Sequence, residues 1–331
     1  SIMDVNVIYN SECRLGLKCL PENSVNCCIT SPPYYGLRDY GNDEQIGLEA
    51  TPEEYIGKLV EVFREVRRVL TNDGTLWVNI GDSYAGSMKG AAQFPDNAMN
   101  YKQGTNRGTL GKATLVKQCT NCKPKDLIGI PWMLAFALRA DGWYLRQDII
   151  WSKPNPMPES VRDRCTKSHE YIFLLSKSRL YYFDADAIKV PARESTMRRI
   201  RQDVDNQVGS SRTLKANGNM KAVIGGRKRN FSDMTEDDPM YRASTNREYE
   251  YTDKANKRSV WVVSTSAFHD AHFAVFPPAL IVDCIKAGCP EDGVVLDPFM
   301  GSGTTAIVSR KLNRNYIGFE INKDYVRLAE N

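Results

Sequence analysis

Apolar residues along the chain follow two spacings, one typical of buried strands and one typical of amphipathic helices. Residues 24–29 form a short apolar run, which predicts a strand. Across residues 51–69 the apolar side chains recur every three or four positions, which predicts a helix. Thr51 is placed to cap this helix and Pro52 to occupy its first position. The chain therefore predicts a strand followed by a helix near its N-terminus.

The same alternation continues to the end of the sequence. We expect the turn residues 72–74 to stop the first helix and residues 75–80 to form a strand, which completes a βαβ unit. Further predicted strands cover residues 143–151, 169–176, 294–296 and 316–319, and further predicted helices cover residues 131–140, 276–287, 304–312 and 323 onward. Strands that alternate with helices predict an α/β fold with a parallel or mostly parallel sheet.

Two segments interrupt this pattern. Residues 85–125 are rich in Gly, Asn, Gln and Lys and predict a long mobile loop, and loops of that length in compact enzymes are usually functional. Residues 192–258 are basic and poor in aliphatic side chains. We therefore divide the chain into a first core half over residues 1–191, an insertion over 192–258, and a second core half over 259–331.

The insertion holds the most uneven charge in the chain. Between residues 192 and 230 there are ten Arg or Lys and three acidic residues, a net charge of +7, whereas the whole chain carries +4. Such a segment suits contact with phosphates, although a solvated surface loop would have the same composition. The candidate DNA-binding residues are Arg198, Arg199, Arg201, Arg227, Lys228 and Arg229.

Composition excludes several other classes of protein. No apolar run approaches the roughly 20 residues that span a bilayer, and no secretory signal is evident, so we expect no membrane partner. The nine cysteines are scattered, which predicts reduced, mostly buried thiols. Cys119 and Cys122 have zinc-like spacing but lack a second pair, so we expect a polar loop there and no metal site.

A glycine turn follows the predicted strand at residues 294–296. Its glycines allow close approach of a ligand, and the helix that follows offers free backbone N–H groups. Glu320 ends the next strand about twenty residues on, where an acid can accept hydrogen bonds from both ribose hydroxyls. A dinucleotide site, or simple packing of a helix on a strand, would use the same turn. The candidate ligand-binding residues of the turn are Asp297, Pro298, Phe299, Gly301, Ser302, Gly303, Thr304 and Thr305.

A second motif follows the first predicted strand and consists of Ser31, Pro32, Pro33 and Tyr34. Two prolines make a rigid turn, which holds a hydroxyl, a carbonyl and an aromatic face together. Ligands of open α/β sheets bind at this carboxyl edge of the strands. Taken alone, the tetrapeptide favours a structural turn over a binding site.

Together the two motifs resemble those of the DNA amino-methyltransferases, which combine a (D/N/S)-P-P-(Y/F) tetrapeptide with an F-x-G-x-G turn. The tetrapeptide lies N-terminal to the turn and a basic segment separates them, an order similar to that of the circularly permuted β group of the family. The resemblance implies a Rossmann-like methyltransferase fold that binds S-adenosyl-L-methionine, with residues 192–258 as the target-recognition region. The segment from His272 to Pro277, which includes Phe276, resembles a further cofactor motif of the family, which closes over the methionine end of this cofactor.

The resemblance also implies a mechanism. Ser31 Oγ and the Pro32 carbonyl would accept the two hydrogens of a base amino group, while Tyr34 stacks on a base flipped out of double-stranded DNA. Cytosine N4 is favoured slightly over adenine N6, because Ser replaces the Asp or Asn common in adenine enzymes. A homodimer, a cognate restriction endonuclease and a cytoplasmic, nucleoid-associated location in a bacterial, archaeal or phage setting are further implications.

Two alternatives remain open. Methyltransferases of RNA or of protein amides also use a P-P-Y tetrapeptide, typically with Asn first and with the cofactor motif N-terminal. A non-catalytic DNA-binding regulator would show a broken tetrapeptide or turn, and both are intact here. A C5-cytosine methyltransferase is disfavoured, because its thiolate nucleophile usually lies in a Pro-Cys pair and the sequence contains none.

Overall fold

The computed structural model describes residues 3–36, 44–86, 121–194, 253–265 and 276–331. Within these residues, eight strands form one sheet in the order β1-β10-β9-β2-β3-β5-β4-β8, and β6 and β7 form a separate pair. The strands are β1 (Val7–Asn10), β2 (Val25–Thr30), β3 (Leu70–Ile80), β4 (Tyr144–Ser152), β5 (His169–Ser176), β6 (Val190–Pro191), β7 (Lys254–Ala255), β8 (Val260–Val262), β9 (Val294–Asp297) and β10 (Asn315–Glu320).

The large sheet is mostly parallel, as the sequence predicts. Only β5 is reversed among the described strands of this sheet, because it pairs antiparallel with both β3 and β4. The other neighbouring pairs are parallel. As a result, β5 begins at the edge of the sheet where its neighbours end.

Helices cover both faces of this sheet. They are α1 (Cys13–Lys18), α2 (Pro52–Val69), α3 (Ile130–Ala140), α4 (Pro278–Gly288), α5 (Thr304–Lys311) and α6 (Lys323–Glu330). Successive strand residues point to opposite faces, so Leu76 packs in the core with α1, α2 and α3, while Trp77 packs in a second core with α4. The predicted α/β class is therefore confirmed. No helix of the described part of the chain is long and apolar enough to cross a membrane.

Helix α2 begins as predicted and ends in a different way. Thr51 Oγ1 accepts a hydrogen bond from the Glu54 backbone N–H at 3.2 Å, and Pro52 occupies the first turn. The turn residues 72–74 do not stop the helix, because β3 starts directly after it at Leu70. The turn instead bulges out of β3, since Val25 pairs with Leu70 while Cys27 pairs with Thr75. Pairing with β2 thus overrides the local turn signal.

The segments before and after the basic insertion lie side by side. Strands β6 and β7 pair antiparallel, and the Ala192 backbone N–H donates to the Asp253 carbonyl at 2.8 Å. The ends of the predicted long loop meet in a similar way, through a bridge between Tyr84 and Leu127. Residues 87–120 and 195–252 lie outside the described part, so the three-part division of the chain remains a prediction.

The cysteines differ in part from the sequence prediction. Five free thiols are buried, at Cys13, Cys27, Cys28, Cys284 and Cys289. Cys19 and Cys165 are exposed, because they lie outside the apolar core. Cys122 is partly buried against the core and is disulfide-bonded, so the expectation of reduced thiols is wrong at this position.

Candidate active site

Strands β2 and β9 are neighbours, and this adjacency brings the two sequence motifs together. Thr30, the last residue of β2, donates a hydrogen bond from Oγ1 to Asp297 Oδ1 at 2.5 Å. Thr305 Oγ1 donates to the other oxygen of Asp297 at 2.7 Å, and the Phe299 backbone N–H donates to Oδ1 at 3.0 Å. Asp297 therefore joins the start of the tetrapeptide to both ends of the glycine turn.

The Asp297 carboxyl group is almost completely buried. Burial raises its pKa to about 6, and the hydrogen bonds from Thr30, Thr305 and Phe299 oppose that rise. A buried carboxylate with donors on both oxygens anchors the surrounding backbone. Asp297 therefore holds the turn in place, and the ligand contact assigned to it remains a prediction.

The two glycines of the turn meet different surroundings. Gly303 has φ +98°, and an added Cβ would lie 2.9 Å from Ala329 Cβ on α6, so close packing requires glycine there. Gly301 has φ +60°, and an added Cβ would meet open space. The Met300 backbone N–H donates to the Phe319 carbonyl at 2.9 Å and fixes the turn against β10. Gly301 thus has a positive φ, and its backbone is open to a ligand.

Glu320 ends β10 next to this turn. Burial and the negative charge of Asp297 raise the pKa of Glu320 to about 7, while backbone N–H groups of Gly301, Ile321 and Asn322 donate to it and oppose the rise. An acid beside an open glycine turn and the N-terminus of α5 fits the adenosine part of S-adenosyl-L-methionine. The ribose contact assigned to Glu320 remains a prediction.

The tetrapeptide leaves β2 at the same edge of the sheet. Its turn is held by Tyr55, whose hydroxyl donates to the Pro33 carbonyl at 2.6 Å. Tyr34 donates its hydroxyl hydrogen to Glu170 Oε1, and its oxygen also lies 3.3 Å from Asn79 Oδ1. Burial and the adjacent Glu170 charge raise the pKa of Tyr34, which keeps its hydroxyl protonated. The aromatic ring is therefore held at both ends.

Sequence reasoning missed Glu170. It lies at the start of β5, where the reversed direction of that strand brings it to the carboxyl edge. Its second oxygen forms an ion pair with Lys153, whose ammonium group also lies 4.5 Å from the centre of the Trp151 ring. An acidic residue within an otherwise apolar strand, His-Glu-Tyr-Ile-Phe-Leu-Leu, is the signal that could have indicated it.

The structure leaves the other predicted site residues untested. Phe276 is buried and packs in the core beside α4, and its cofactor contact stays a prediction. The candidate DNA-binding residues Arg198, Arg199, Arg201, Arg227, Lys228 and Arg229 lie outside the described residues, as does Cys119. The described part of the chain contains no group of three or more side chains able to hold a metal ion.

No activated thiol lies at this edge of the sheet among the described cysteines. Cys28, two residues before Thr30, is fully buried, and burial raises its pKa well above the usual value. The same holds for its neighbour Cys27. Since only the thiolate is a useful nucleophile, these cysteines do not suit covalent catalysis. The arrangement supports direct transfer between two ligands held side by side.

Comparison with known proteins agrees with this geometry. Residues 25–331 match the N6/N4 methyltransferase family, described as DNA methylases. The type II methyltransferase M.SmaI of Serratia marcescens is 42% identical over 327 residues, covering 98% of this chain and 89% of that protein. The type II methyltransferase M.Cfr9I of Citrobacter freundii is 43% identical over 328 residues, covering 98% and 86%.

Solved structures share the fold. The PvuII DNA methyltransferase, described as cytosine-N4-specific, has a TM-score of 0.59 at 17% identity, covering 99% of this chain and 86% of that one. A DNA modification methylase of Thermus thermophilus, solved with S-adenosyl-L-methionine, has a TM-score of 0.50 at 21% identity, covering 96% and 90%. The chain belongs to the N6/N4 family of DNA methylases and is an S-adenosylmethionine-dependent DNA amino-methyltransferase.

Proposed function

We propose that this enzyme methylates the N4 amino group of a cytosine flipped out of duplex DNA, with Ser31 and Tyr34 forming the base clamp. The observation that carries the proposal is the contact between Thr30 and Asp297, because it holds the clamp and the cofactor turn at adjacent strand ends. A base amino group at the clamp therefore lies next to a cofactor at the turn. In-line transfer requires this proximity.

The chemistry assigned to the clamp follows from the electronic structure of the base. The lone pair of the amino nitrogen is delocalised into the ring, so the nitrogen is a poor nucleophile until its geometry changes. Ser31 Oγ and the Pro32 carbonyl accept the two amino hydrogens and favour a tetrahedral nitrogen. S-adenosyl-L-methionine supplies an electrophilic methyl group on a sulfonium. The nitrogen would form the new bond as the sulfur–carbon bond breaks, which would leave S-adenosyl-L-homocysteine, and one proton would then pass from the nitrogen to solvent.

Cytosine is proposed because the first residue of the clamp is Ser31. A neutral hydroxyl polarises an amino group less than the carboxylate of an Asp would, and Ser-Pro-Pro-Tyr is more usual in the N4-cytosine enzymes that this chain resembles. Both bases present the same N–H₂ group to such a clamp, so the tetrapeptide alone does not settle the choice between them. Adenine N6 is the competing outcome.

Methyl transfer to DNA of mixed sequence, followed by nucleoside digestion and mass spectrometry, tests this proposal. We expect N4-methylcytosine and no methylated adenine. N6-methyladenine as the product would keep the enzyme class and overturn the choice of base. Transfer to RNA with none to DNA would overturn the proposed substrate itself.

We further propose that residues 192–258 form the target-recognition region. Support comes from the antiparallel pair β6–β7, which brings the two ends of this segment together as expected for an insertion, and from the excess of ten basic over three acidic residues between 192 and 230. Replacing residues 195–252 by a short Gly-Ser linker should abolish salt-dependent DNA binding while retaining cofactor binding. Tight DNA binding by this variant would assign recognition to another part of the chain.

Partner proteins complete the proposal. The relatives M.SmaI and M.Cfr9I are type II methyltransferases, which supports a cognate restriction endonuclease as functional partner in a bacterial cytoplasm. DNA methylated by this enzyme should resist cleavage by that nuclease, and complete cleavage would contradict the pairing.

A homodimer is also proposed, and light scattering at micromolar concentration distinguishes it from a monomer.

A further inference from the structure

Tyr34 and three other polar side chains form what we call the Glu170 network, whose members are Tyr34, Asn79, Lys153 and Glu170. Glu170 accepts the Tyr34 hydroxyl hydrogen on one oxygen and pairs with Lys153 through the other. Asn79 Oδ1 faces the same hydroxyl, and its Nδ2 donates to the Tyr171 carbonyl at 3.1 Å, which fixes the orientation of the amide. Both oxygens of the carboxylate and the single hydroxyl hydrogen therefore have partners.

These residues come from separate parts of the chain and meet because of the strand order. Tyr34 follows β2, Asn79 lies near the end of β3, and Lys153 follows β4, all at the carboxyl edge. Glu170 reaches this edge because β5 starts there. The network thus connects four neighbouring strand ends across the floor of the candidate site.

Gly81 leaves the space in which Tyr34 and Glu170 meet. An added Cβ at Gly81 would lie 3.0 Å from Tyr34 Cε2 and 3.2 Å from Glu170 Oε1. Both contacts are tighter than ordinary van der Waals separation, so even alanine would press on the ring and on the carboxylate. The backbone after β3 therefore passes directly against the network, and the ring has little freedom on this side.

The charges are consistent with a fixed arrangement. Glu170 is buried, and a buried carboxylate is stable only when its oxygens have donors. Lys153 supplies the compensating charge and is itself held over the Trp151 ring. Removing the Tyr34 hydroxyl would leave the Lys153 pair intact, whereas removing Glu170 would release both Lys153 and the hydroxyl.

We propose that Glu170 is a positioning residue for methyl transfer, which sets the tilt of the Tyr34 ring before the target base enters. This inference rests on the proposed clamp, in which the Tyr34 face stacks on the base. A ring anchored at its hydroxyl as well as at its Cα presents a preformed wall, so the base amino group arrives aligned with Ser31 and with the methyl group. Misalignment of about 1 Å is enough to slow such a step substantially.

The test is a double-mutant cycle between Tyr34→Phe and Glu170→Ala, read as the single-turnover rate of methyl transfer at saturating cofactor and DNA. We expect each single variant to lower the rate on the order of tenfold, as for loss of a hydrogen bond to a charged group. The rate loss of the double variant should be smaller than the product of the two single losses, although the Tyr34 hydroxyl also hydrogen-bonds to Ser31. Glu170→Gln should recover part of the rate, because its amide still offers the hydroxyl a partner.

Asp141→Ala is the matched control. Asp141 accepts hydrogen bonds from Arg64 Nε at 3.1 Å and Arg64 Nη2 at 2.8 Å, so this variant removes an ion pair that lies just before the start of β4, outside the clamp. We expect its transfer rate to equal that of the wild type. Calorimetry should give wild-type cofactor affinity for every variant of the set.

Three results would overturn the proposal. Equal rate losses from Glu170→Ala in the wild-type and Tyr34→Phe backgrounds would show that Glu170 acts without Tyr34. A wild-type rate for Tyr34→Phe, which keeps the ring and tests the network even where Glu170→Ala folds poorly, would show that the hydroxyl anchor is dispensable. A drop in the Asp141→Ala control equal to that of Glu170→Ala would assign the effect to stability. Failure of the clamp itself gives a separate result, full activity of Ser31→Ala.

Discussion

The cofactor turn and the base clamp lie side by side, yet they are held by different kinds of contact. The turn is built from one short stretch, in which Gly303 packs against α6 and the Met300 backbone bonds to β10. The clamp is held by long polar side chains from other strands, above all Glu170 and Lys153. We infer that the two regions have separate functions. Changes in the turn alter cofactor affinity, whereas changes in the clamp alter the rate of methyl transfer.

The largest expected effect comes from Ser31→Ala. Loss of the acceptor that localises the amino lone pair should lower the single-turnover rate about 10²- to 10³-fold, the usual cost of removing one group that stabilises a transition state. Cofactor affinity measured by calorimetry should not change. Ser24→Ala, a matched serine at the opposite end of β2, should keep the wild-type rate; a comparable loss there would point to strand stability.

The next largest effect concerns the cofactor turn. Glu320→Gln should weaken cofactor binding about 10- to 100-fold, because a charge-assisted hydrogen bond to a ribose hydroxyl is lost. Isothermal titration calorimetry measures this directly, with Glu330→Gln at the exposed end of α6 as the control. Unchanged affinity in Glu320→Gln would refute the ribose contact.

Cofactor affinity should depend on pH through the same carboxyl group. With a pKa of about 7 in the free enzyme, Glu320 is mostly protonated at pH 6 and ionised at pH 8. The ionised form accepts both ribose hydrogens, so affinity should rise up to about tenfold over this range. The profile of Glu320→Gln should be flat, and a wild-type profile that falls with pH would contradict the assignment.

Stability of the free enzyme should respond to pH in the opposite direction. Because the folded pKa of Glu320 is raised from 4.5, its contribution to the free energy of unfolding is fully present below pH 4.5 and is lost as pH rises through about 7. Glu320→Gln has no carboxyl group at this position, so its free energy of unfolding does not decrease with pH for this reason. Chemical denaturation at pH 5 and pH 8 should therefore show the variant gaining stability relative to the wild type as pH rises.

The smallest effect concerns the hydrogen bond between Thr30 and Asp297, which connects the clamp to the cofactor turn. Thr30→Val keeps the side-chain shape and removes the donor to Asp297, which should cost about 1–2 kcal/mol of unfolding free energy. Thr71→Val removes a similar contact to Asp73 near the surface and should cost less. Equal losses of unfolding free energy in the two variants would show that the Thr30–Asp297 hydrogen bond is no more important for stability than a contact near the surface.

The sequence predicted the turn and the tetrapeptide because each is a contiguous run with its own backbone requirement. Gly303 needs a positive φ, and Pro32 and Pro33 restrict the clamp backbone, so a short pattern contains the information. The helix after Thr51 was equally local, since its cap and first residue lie within the pattern. These features depend little on the rest of the fold.

The Glu170 network could not be predicted in this way. Tyr34 and Glu170 are 136 residues apart, and they meet only because β5 runs against its neighbours. A single pattern of apolar residues gives the position of a strand but neither its direction nor its neighbours. The bulge at residues 72–74 was missed for the same reason, because pairing with β2 decided the backbone there.

The most direct test of these separate functions is to measure the transfer rate as a function of S-adenosyl-L-methionine concentration. The measurement is made in parallel for Ser31→Ala and Glu320→Gln. We predict that Glu320→Gln approaches the wild-type maximal rate once the cofactor saturates it. Ser31→Ala should remain slow at every cofactor concentration. Recovery of both variants at saturation, or of neither, would contradict the account.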